Sequence, residues 1–233
     1  MLSAVAVRVP AALDNPIWAS LATRQAHLAQ GDARARRYPP AISPLTGVSH
    51  TGADVAASLA ATVQVGDDMG IFGPAPALGS NWEVLKEAAI TQMIRSDEAP
   101  LDEGEVDVRV LGPADVPEML RLVELTQPGP FRPRTIELGR YIGIREGDRL
   151  LAMAGERMCA GTLREISGVC THPEFQGRGL ARRLMEKIVR VQMQRAQTPF
   201  LHVMRDNANA HRLYENLGFR LYRESVVRVV SRG

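Results

Sequence analysis

Apolar and polar residues alternate in "VDVRVLG" as they do along a half-buried strand, and the period then lengthens to that of a helix. In "GPADVPEMLRLVEL" the apolar positions Met119, Leu122 and Leu125 recur at helical spacing, with Asp115 as a candidate cap. "RYIGIREG" and "RLLAMAGERM", joined across "EGD", read as a strand hairpin. "LREISGVCTHP" is a further strand that Pro173 ends. From Gly177 to about Gln197 the pattern is helical: Leu180, Leu184, Ile188 and Val191 form one stripe, while Arg182, Arg183, Glu186, Lys187 and Arg190 lie elsewhere. "PFLHVM" is another strand, "NANAHRLYENLG" a helix opened by Asn and closed by Gly, and "FRLYRESVVRVV" one or two strands. The strand, helix and strand from Arg164 to Met204 predict a right-handed crossover between parallel neighbours. The fold class is therefore α/β (α+β), with a mixed, mostly antiparallel sheet, one parallel pair and flanking helices.

The first hundred residues carry weaker signals. "NPIWASLATRQAHLAQ" places Ile17, Leu21 and Leu28 on one helical face, with Asp14 or Asn15 as candidate cap and Pro16 in the first turn. "RARRYPPAISP" reads as an ordered surface loop, "ADVAASLAATV" as an alanine-rich helix, and "MGIFG" and "AAITQMIR" as short strands. The acidic, turn-rich stretch "DEAPLDEG", 97–104, reads as a linker. It divides the chain into an N-terminal region, 1–103, and a sharper unit, 104–233.

Composition narrows the classes of function. With 233 residues, 45% hydrophobic and 23% charged, the chain is that of an ordinary soluble globular protein. A formal charge of +2 is too small to predict nucleic acid or an anionic membrane as the main partner. The cysteines, Cys159 and Cys170, make no metal-ligand spacing and no disulfide framework, so no metal is expected and a reducing cytoplasm is. No basic leader precedes the first apolar run, which Arg8 and Pro10 interrupt, and no window approaches the ~18 apolar residues of a membrane span. A cytoplasmic location is the expectation, and a homodimer is compatible with the sequence.

The chemistry concentrates in "VCTHPEFQGRGLARRLMEK", Val169 to Lys187, where a strand, a glycine-rich turn and a helix N-terminus follow one another. The first N–H groups of a helix have no intrahelical partner and together carry roughly half a positive charge. Glycine at 177 and 179 removes the Cβ atoms that would keep a bulky anion from the backbone. N–H groups from Gly177 to Ala181 are thus placed to wrap a pyrophosphate, with Arg178, Arg182 or Arg183 screening further charge. A dinucleotide fingerprint would want a third glycine where Arg182 stands. A phosphate-binding loop of the Gly-Lys-Ser/Thr kind would want Lys where this chain has Leu180. A turn that uses glycine for tightness alone remains the alternative.

Two motifs together resemble the GNAT acetyltransferase superfamily. Gln176, Gly177, Arg178, Gly179, Leu180 and Ala181 ("QGRGLA") resemble its acetyl-CoA signature, although Gln176 adjoins the first glycine directly. Asn207, Ala210, Tyr214, Gly218 and Phe219 resemble its second motif, and the likeness covers about residues 105 to 233. The whole arrangement is similar to the branch with a degenerate acetyltransferase-like N-terminal half. The resemblance implies acetyl-CoA as cosubstrate, an amine-bearing small molecule, peptide or protein as acceptor, and a parallel strand pair splayed so that backbone groups at Val169, Cys170 and Thr171 meet the pantetheine. It also implies that Asn207 and Ala210 lie at the cofactor and that Tyr214 protonates the departing sulfur; a place with Ala210, Leu213 and Leu217 on a buried helix face is the structural alternative for Tyr214. Gly168 is a candidate β-bulge that starts the splay, or else a close contact with a helix.

The acceptor must be neutral to attack. A lysine amine with pKa ~10.4 costs roughly 4.6 kcal/mol to neutralise at pH 7, an α-amine near 8 about 1.4. Glu165 is the first candidate base, with Glu156 and His202 as alternatives, and a carboxylate paired to a basic neighbour is the structural alternative for Glu165. The expected function is an N-acetyltransferase working by direct attack. The alternatives are a non-catalytic acyl-CoA-binding regulatory module and a binder of a different nucleotide.

Overall fold

The computed structural model describes residues 11–74, 76–95 and 108–233. The expected linker at 97–104 lies outside them, as do Val106 and Asp107 of the first expected strand. Helix α1 (Pro16–Ala22) begins where Pro16 supplies a pre-set φ, and it buries Ile17 and Leu21. Asn15 does not cap it: its Nδ2 donates to the Val48 carbonyl at 2.7 Å and ties the helix start to the next layer. Strands β1 (Gln30–Gly31), β2 (Ala35–Arg37) and β3 (Thr46–Val48) make a small antiparallel sheet, over which α2 (Ala53–Thr62) lays Val55 and Leu59.

The main sheet is built from β4 (Asp68–Phe72), β5 (Trp82–Ile94), β6 (Val108–Leu111), β7 (Tyr141–Glu146), β8 (Arg149–Ala160), β9 (Leu163–Thr171), β10 (Thr198–Met204) and β11 (Arg220–Arg232). Their spatial order is β4-β11-β5-β10-β9-β8-β7-β6. Every neighbouring pair is antiparallel except β9 and β10, the crossover read from the sequence. Helix α3 (Val116–Thr126) follows β6, α4 (Leu180–Gln194) joins β9 to β10, and α5 (Ala208–Asn216) joins β10 to β11.

Side chains alternate across the strands, so one sheet closes two cores. Met93, Ile142, Ile166, Leu201 and Val203 face α4 and α5, where Leu180, Leu184, Met185, Ile188 and Val189 supply the helical stripe. Ile94, Leu163 and Phe200 face the other way, against Leu13, Ile17, Leu21, Tyr38 and Ile42 of the N-terminal region. Beside them α3 packs Met119, Leu122 and Val123 on Tyr141, Met153 and Cys170. Among the described residues no helix is long and apolar enough to cross a membrane.

Several expectations change here. The two-part division does not describe the packing: β5, from the N-terminal side of the expected boundary, lies between β10 and β11 and pairs with both. Its register runs from Arg220↔Ile94 to Arg232↔Trp82 on one side and from Phe200↔Ile94 to Met204↔Ile90 on the other. The short strand expected at "AAITQMIR" is the inner end of this long β5, and the C-terminus is the single strand β11. "RARRYPPAISP" is interior rather than surface, because Ala35, Tyr38 and Ile42 are fully buried. Arg37 can accompany them because its guanidinium meets Asp67 at 2.6 Å. In α3 the inward position is Val123, whereas Leu125 is 52% exposed.

A chain of residues 104–233 alone would leave the inner edges of β10 and β11 unpaired and strip the apolar cover from Leu163 and Phe200. That fragment is expected to show no cooperative thermal transition, while the full chain shows one. A fragment that melts cooperatively would contradict the interleaved sheet.

Candidate functional site

The parallel pair stops early. β9 and β10 are in register only at Thr198↔Leu163, Pro199↔Arg164 and Phe200↔Glu165. Beyond that point both strands continue, β9 to Thr171 against β8 and β10 to Met204 against β5, but no longer against each other. Gly168 contributes to the divergence. Its φ is +65°, and opposite it the β8 register jumps from Met153↔Cys170 to Gly155↔Ser167, which is the bulge expected there. A Cβ at 168 would lie 3.3 Å from Tyr141 Cε1, so the close neighbour is a strand tyrosine rather than a helix.

The splayed strand delivers the chain to the glycine turn. Pro173–Phe175 makes a short 3-10 turn, and the Gln176 N–H donates to the Pro173 carbonyl at 3.3 Å. Gln176 thus has its backbone donor engaged and its side chain exposed. Gly177 and Gly179 both adopt left-handed φ, +76° and +72°, and a Cβ on either would meet nothing within 4 Å. The helix therefore begins at Leu180, not Gly177, with Gly179 as an N-cap that has no side chain to offer its first N–H groups. No acidic residue stands in that first turn. Arg178 stacks over Phe175 at 4.7 Å and Arg149 over the same ring at 4.9 Å. Arg182 is drawn along the helix to Glu186, 2.8 Å away.

The other sequence-predicted residues divide by the face they point to. The Val169 side chain packs against the core beneath α4, while Cys170 points to the α3 side, where burial pushes its thiol up to about 11. Only the backbone of Cys170 can therefore face the opening. Thr171 Oγ1 is buried without a partner among the described residues. The Leu180 side chain is buried, so its N–H alone is available, and Ala181 is half-buried. Asn207 caps α5, its Oδ1 accepting from the Ala210 N–H at 3.1 Å. Tyr214 is 9% exposed, its ring packed edge-on against Phe219, and burial pushes its phenol up to about 12.

These features fit the diphosphate and pantetheine of acetyl-CoA. The strand pair opens where amides must be completed, and the two left-handed glycines leave the backbone of the turn uncovered. The backbone of Val169, Cys170 and Thr171 and the turn from Gln176 to Ala181 could hold such a group.

Glu165 does not suit the role of base. It is fully buried, and Arg157 donates to it through Nε at 2.7 Å and Nη2 at 2.6 Å, with the Met158 N–H at 3.4 Å. A charged carboxylate only accepts, so His202 carries its proton on Nδ1, 2.8 Å from Glu165 Oε1. Burial alone would raise the Glu165 pKa, but the charge and hydrogen bonds of Arg157, with His202, outweigh it and hold it at about 2. Burial pushes His202 itself down. Pairing to a basic group is the alternative the sequence offered for Glu165; what sequence reasoning missed is the partners, Arg157 and His202, with Tyr38 and Tyr141 nearby. The signal was Arg157 and Glu165 standing inside apolar strands on either side of one turn. Glu156, an alternative base, accepts from Gln192 Nε2 at 2.9 Å on the α4 face.

Glu165→Gln would leave a buried guanidinium without its counter-charge and is expected to cost about 3–5 kcal/mol at pH 7. Because the folded pKa lies below the ordinary 4.5, the stabilisation is present above 4.5 and fades as pH falls towards about 2. Urea unfolding should show the gap between wild type and variant closing over that window. A gap independent of pH would contradict the ion-pair assignment.

Comparison with known proteins agrees with this geometry. The FR47-like protein family matches residues 141–229, from β7 into β11. A solved structure assigned to the GNAT acetyltransferase family, from Novosphingobium aromaticivorans, is 38% identical over 95% of this chain and 98% of its own, with a TM-score of 0.87. A GCN5-related N-acetyltransferase from Kribbella flavida shares the fold at 15% identity and TM-score 0.60, covering 93% of this chain and 96% of its own. The ribosomal protein bS18-alanine N-acetyltransferase of Salmonella typhimurium is 28% identical over 123 residues, 48% of this chain and 79% of its own length. With its opened strand pair, glycine cradle and near full-length likeness to a solved relative, this chain belongs to the GNAT family of acetyltransferases.

Proposed function

We propose that the protein transfers an acetyl group from acetyl-CoA to a weakly basic primary amine, of the α-amino kind, by direct attack on the thioester. The observation that carries this is the opening between β9 and β10 past Glu165 and Phe200, which leads onto the left-handed glycines at 177 and 179. Acetyl-CoA supplies the activated acyl group, and the chain supplies its placement. Backbone groups of β9 beyond the fork align the pantetheine amides, and an N–H of the bulged segment polarises the thioester carbonyl. The attacking nitrogen forms the new C–N bond as the C–S bond breaks, its surplus proton passes to solvent water, and the sulfur leaves as thiolate to be protonated.

Tyr214 is the group assigned to that sulfur. A phenol at about 12 giving its proton outright to a thiolate of pKa ~8.5 is uphill by about 5 kcal/mol, so it acts by hydrogen bonding and relay, with water refilling the proton. The choice of acceptor follows from Glu165. With that carboxylate held by Arg157 and His202, the first candidate base is withdrawn, and this favours an amine that is already partly neutral. The Salmonella relative is named for an alanine of a ribosomal protein, which is an acceptor of this class.

Tyr214→Phe is expected to lower kcat by about a hundredfold while acetyl-CoA affinity changes by less than about twofold. An unchanged kcat would remove the residue from the chemistry. Gly179→Val places branched carbons in the cradle and forces valine into left-handed backbone. It should weaken coenzyme A binding by about a hundredfold or more at a stability cost of about 1–3 kcal/mol. Native affinity in a folded variant would mean that the turn does not hold the diphosphate. An amine panel read by mass spectrometry tests the acceptor. Peptides with free N-termini should be acetylated faster than N-blocked lysine peptides, at rates rising to a plateau near the acceptor's own pKa of about 8. Faster acetylation of the lysine peptides would overturn the assignment.

A further inference from the structure

At the far end of α4 from the glycine turn, a cleft of about 310 Å³ opens between the N-terminal region and the acetyltransferase sheet. The segment Arg24–Leu28, the turn at Glu137 and Leu138, the β8–β9 turn at Gly161 and Thr162, and the end of α4 at Arg195–Gln197 meet around it. The helix is 15 residues long, so about 22 Å of rise separates this cleft from the diphosphate cradle. It lies at the paired end of β9 and β10, where Thr198↔Leu163 is in register, and hence away from the fork.

Its lining is cationic. Arg24, Arg164 and Arg195 all border it, together with His27. The carboxylate at the rim, Glu137, is held by both Arg134 Nε (2.5 Å) and Nη2 (2.8 Å) and so is already neutralised. Arg24 and Arg195 have no carboxylate partner among the described residues, and the approach of Arg164 to Glu156 is 4.0 Å, beyond hydrogen-bonding distance. Arg164 Nε and Gln197 Oε1 are themselves buried, with no hydrogen-bond partner among the described residues, so it is the guanidinium groups lining the cleft that a ligand would meet.

We propose that this cleft is a second anion site, taking a phosphate monoester dianion against Arg24, Arg164 and Arg195. A dianion matches three guanidinium groups lining one cleft, whereas a monocarboxylate would leave most of their charge uncompensated. Inorganic phosphate, as the hydrogen phosphate ion, offers the same chemistry in smaller form. The site stands apart from the acetyl-CoA reading, because it shares no lining residue with the splay or the glycine turn.

The test is calorimetric titration of the full chain with glycerol 3-phosphate, inorganic phosphate and acetate, each in the presence of saturating coenzyme A so that the cradle is filled. Glycerol 3-phosphate and inorganic phosphate should both bind, and each more tightly than acetate. Arg24→Gln and Arg195→Gln, both at exposed positions and so compatible with folding, should each weaken it by about tenfold or more while leaving coenzyme A affinity unchanged. The absence of binding by both phosphates, affinities indifferent to both substitutions, or displacement by coenzyme A would overturn the site.

Discussion

Two parallel strands that begin side by side and then part company set the rest of this structure. Ending a ladder inside a sheet is unfavourable, since every unpaired backbone group must find a partner. Here the fork is held open by geometry on both arms. β10 is bound along its outer edge to β5, and β9, twisted by the Gly168 bulge, is bound to β8. Between them the Glu165 carboxylate, on the last paired residue of β9, and the His202 ring, two residues beyond the last paired residue of β10, remain joined at 2.8 Å. Arg157, from β8, locks the carboxylate from behind. The fork is thus braced by buried charge, and the groups left unpaired beyond it are free for a ligand.

That bracing explains why the N-terminal region belongs to the same body. It contributes β5, which anchors β10 from its outer side, and it seals the lower face with Leu13, Ile17, Tyr38 and Ile42. Gln25 of the same region accepts from Tyr38 Oη at 2.7 Å and donates to the Arg157 carbonyl at 2.7 Å, so the polar cluster at the fork is tied to the segment that covers it. A catalytic half detached from this region would lose both a strand and a lid on its charges.

Local chemistry was readable where it is written in neighbouring residues. The glycine turn, the Asn207 cap, the α4 stripe and the crossover were legible because each rests on spacing within a few residues. What escaped depends on partners far along the chain. β5 carries exposed Glu83, Glu87 and Lys86 at its outer end and resembles a short strand, because only its inner half is covered on both faces. "RARRYPP" is too basic to look buried, and Arg37 goes inside against the distant Asp67. Glu165 looked like a base because a carboxylate at a strand start is usually solvated. The Arg157 and His202 that neutralise it come from other strands.

The most direct measurement is amide hydrogen exchange with and without coenzyme A. Those amides of Ile166 to Thr171 that point away from β8, and the amides from Gly177 to Ala181, should exchange markedly more slowly with the ligand bound, while the segment from Leu163 to Glu165, paired on both edges, stays unchanged. Protection confined to other parts of the chain, or none at all under saturating ligand, would contradict the fork as the place where this protein holds its acyl donor.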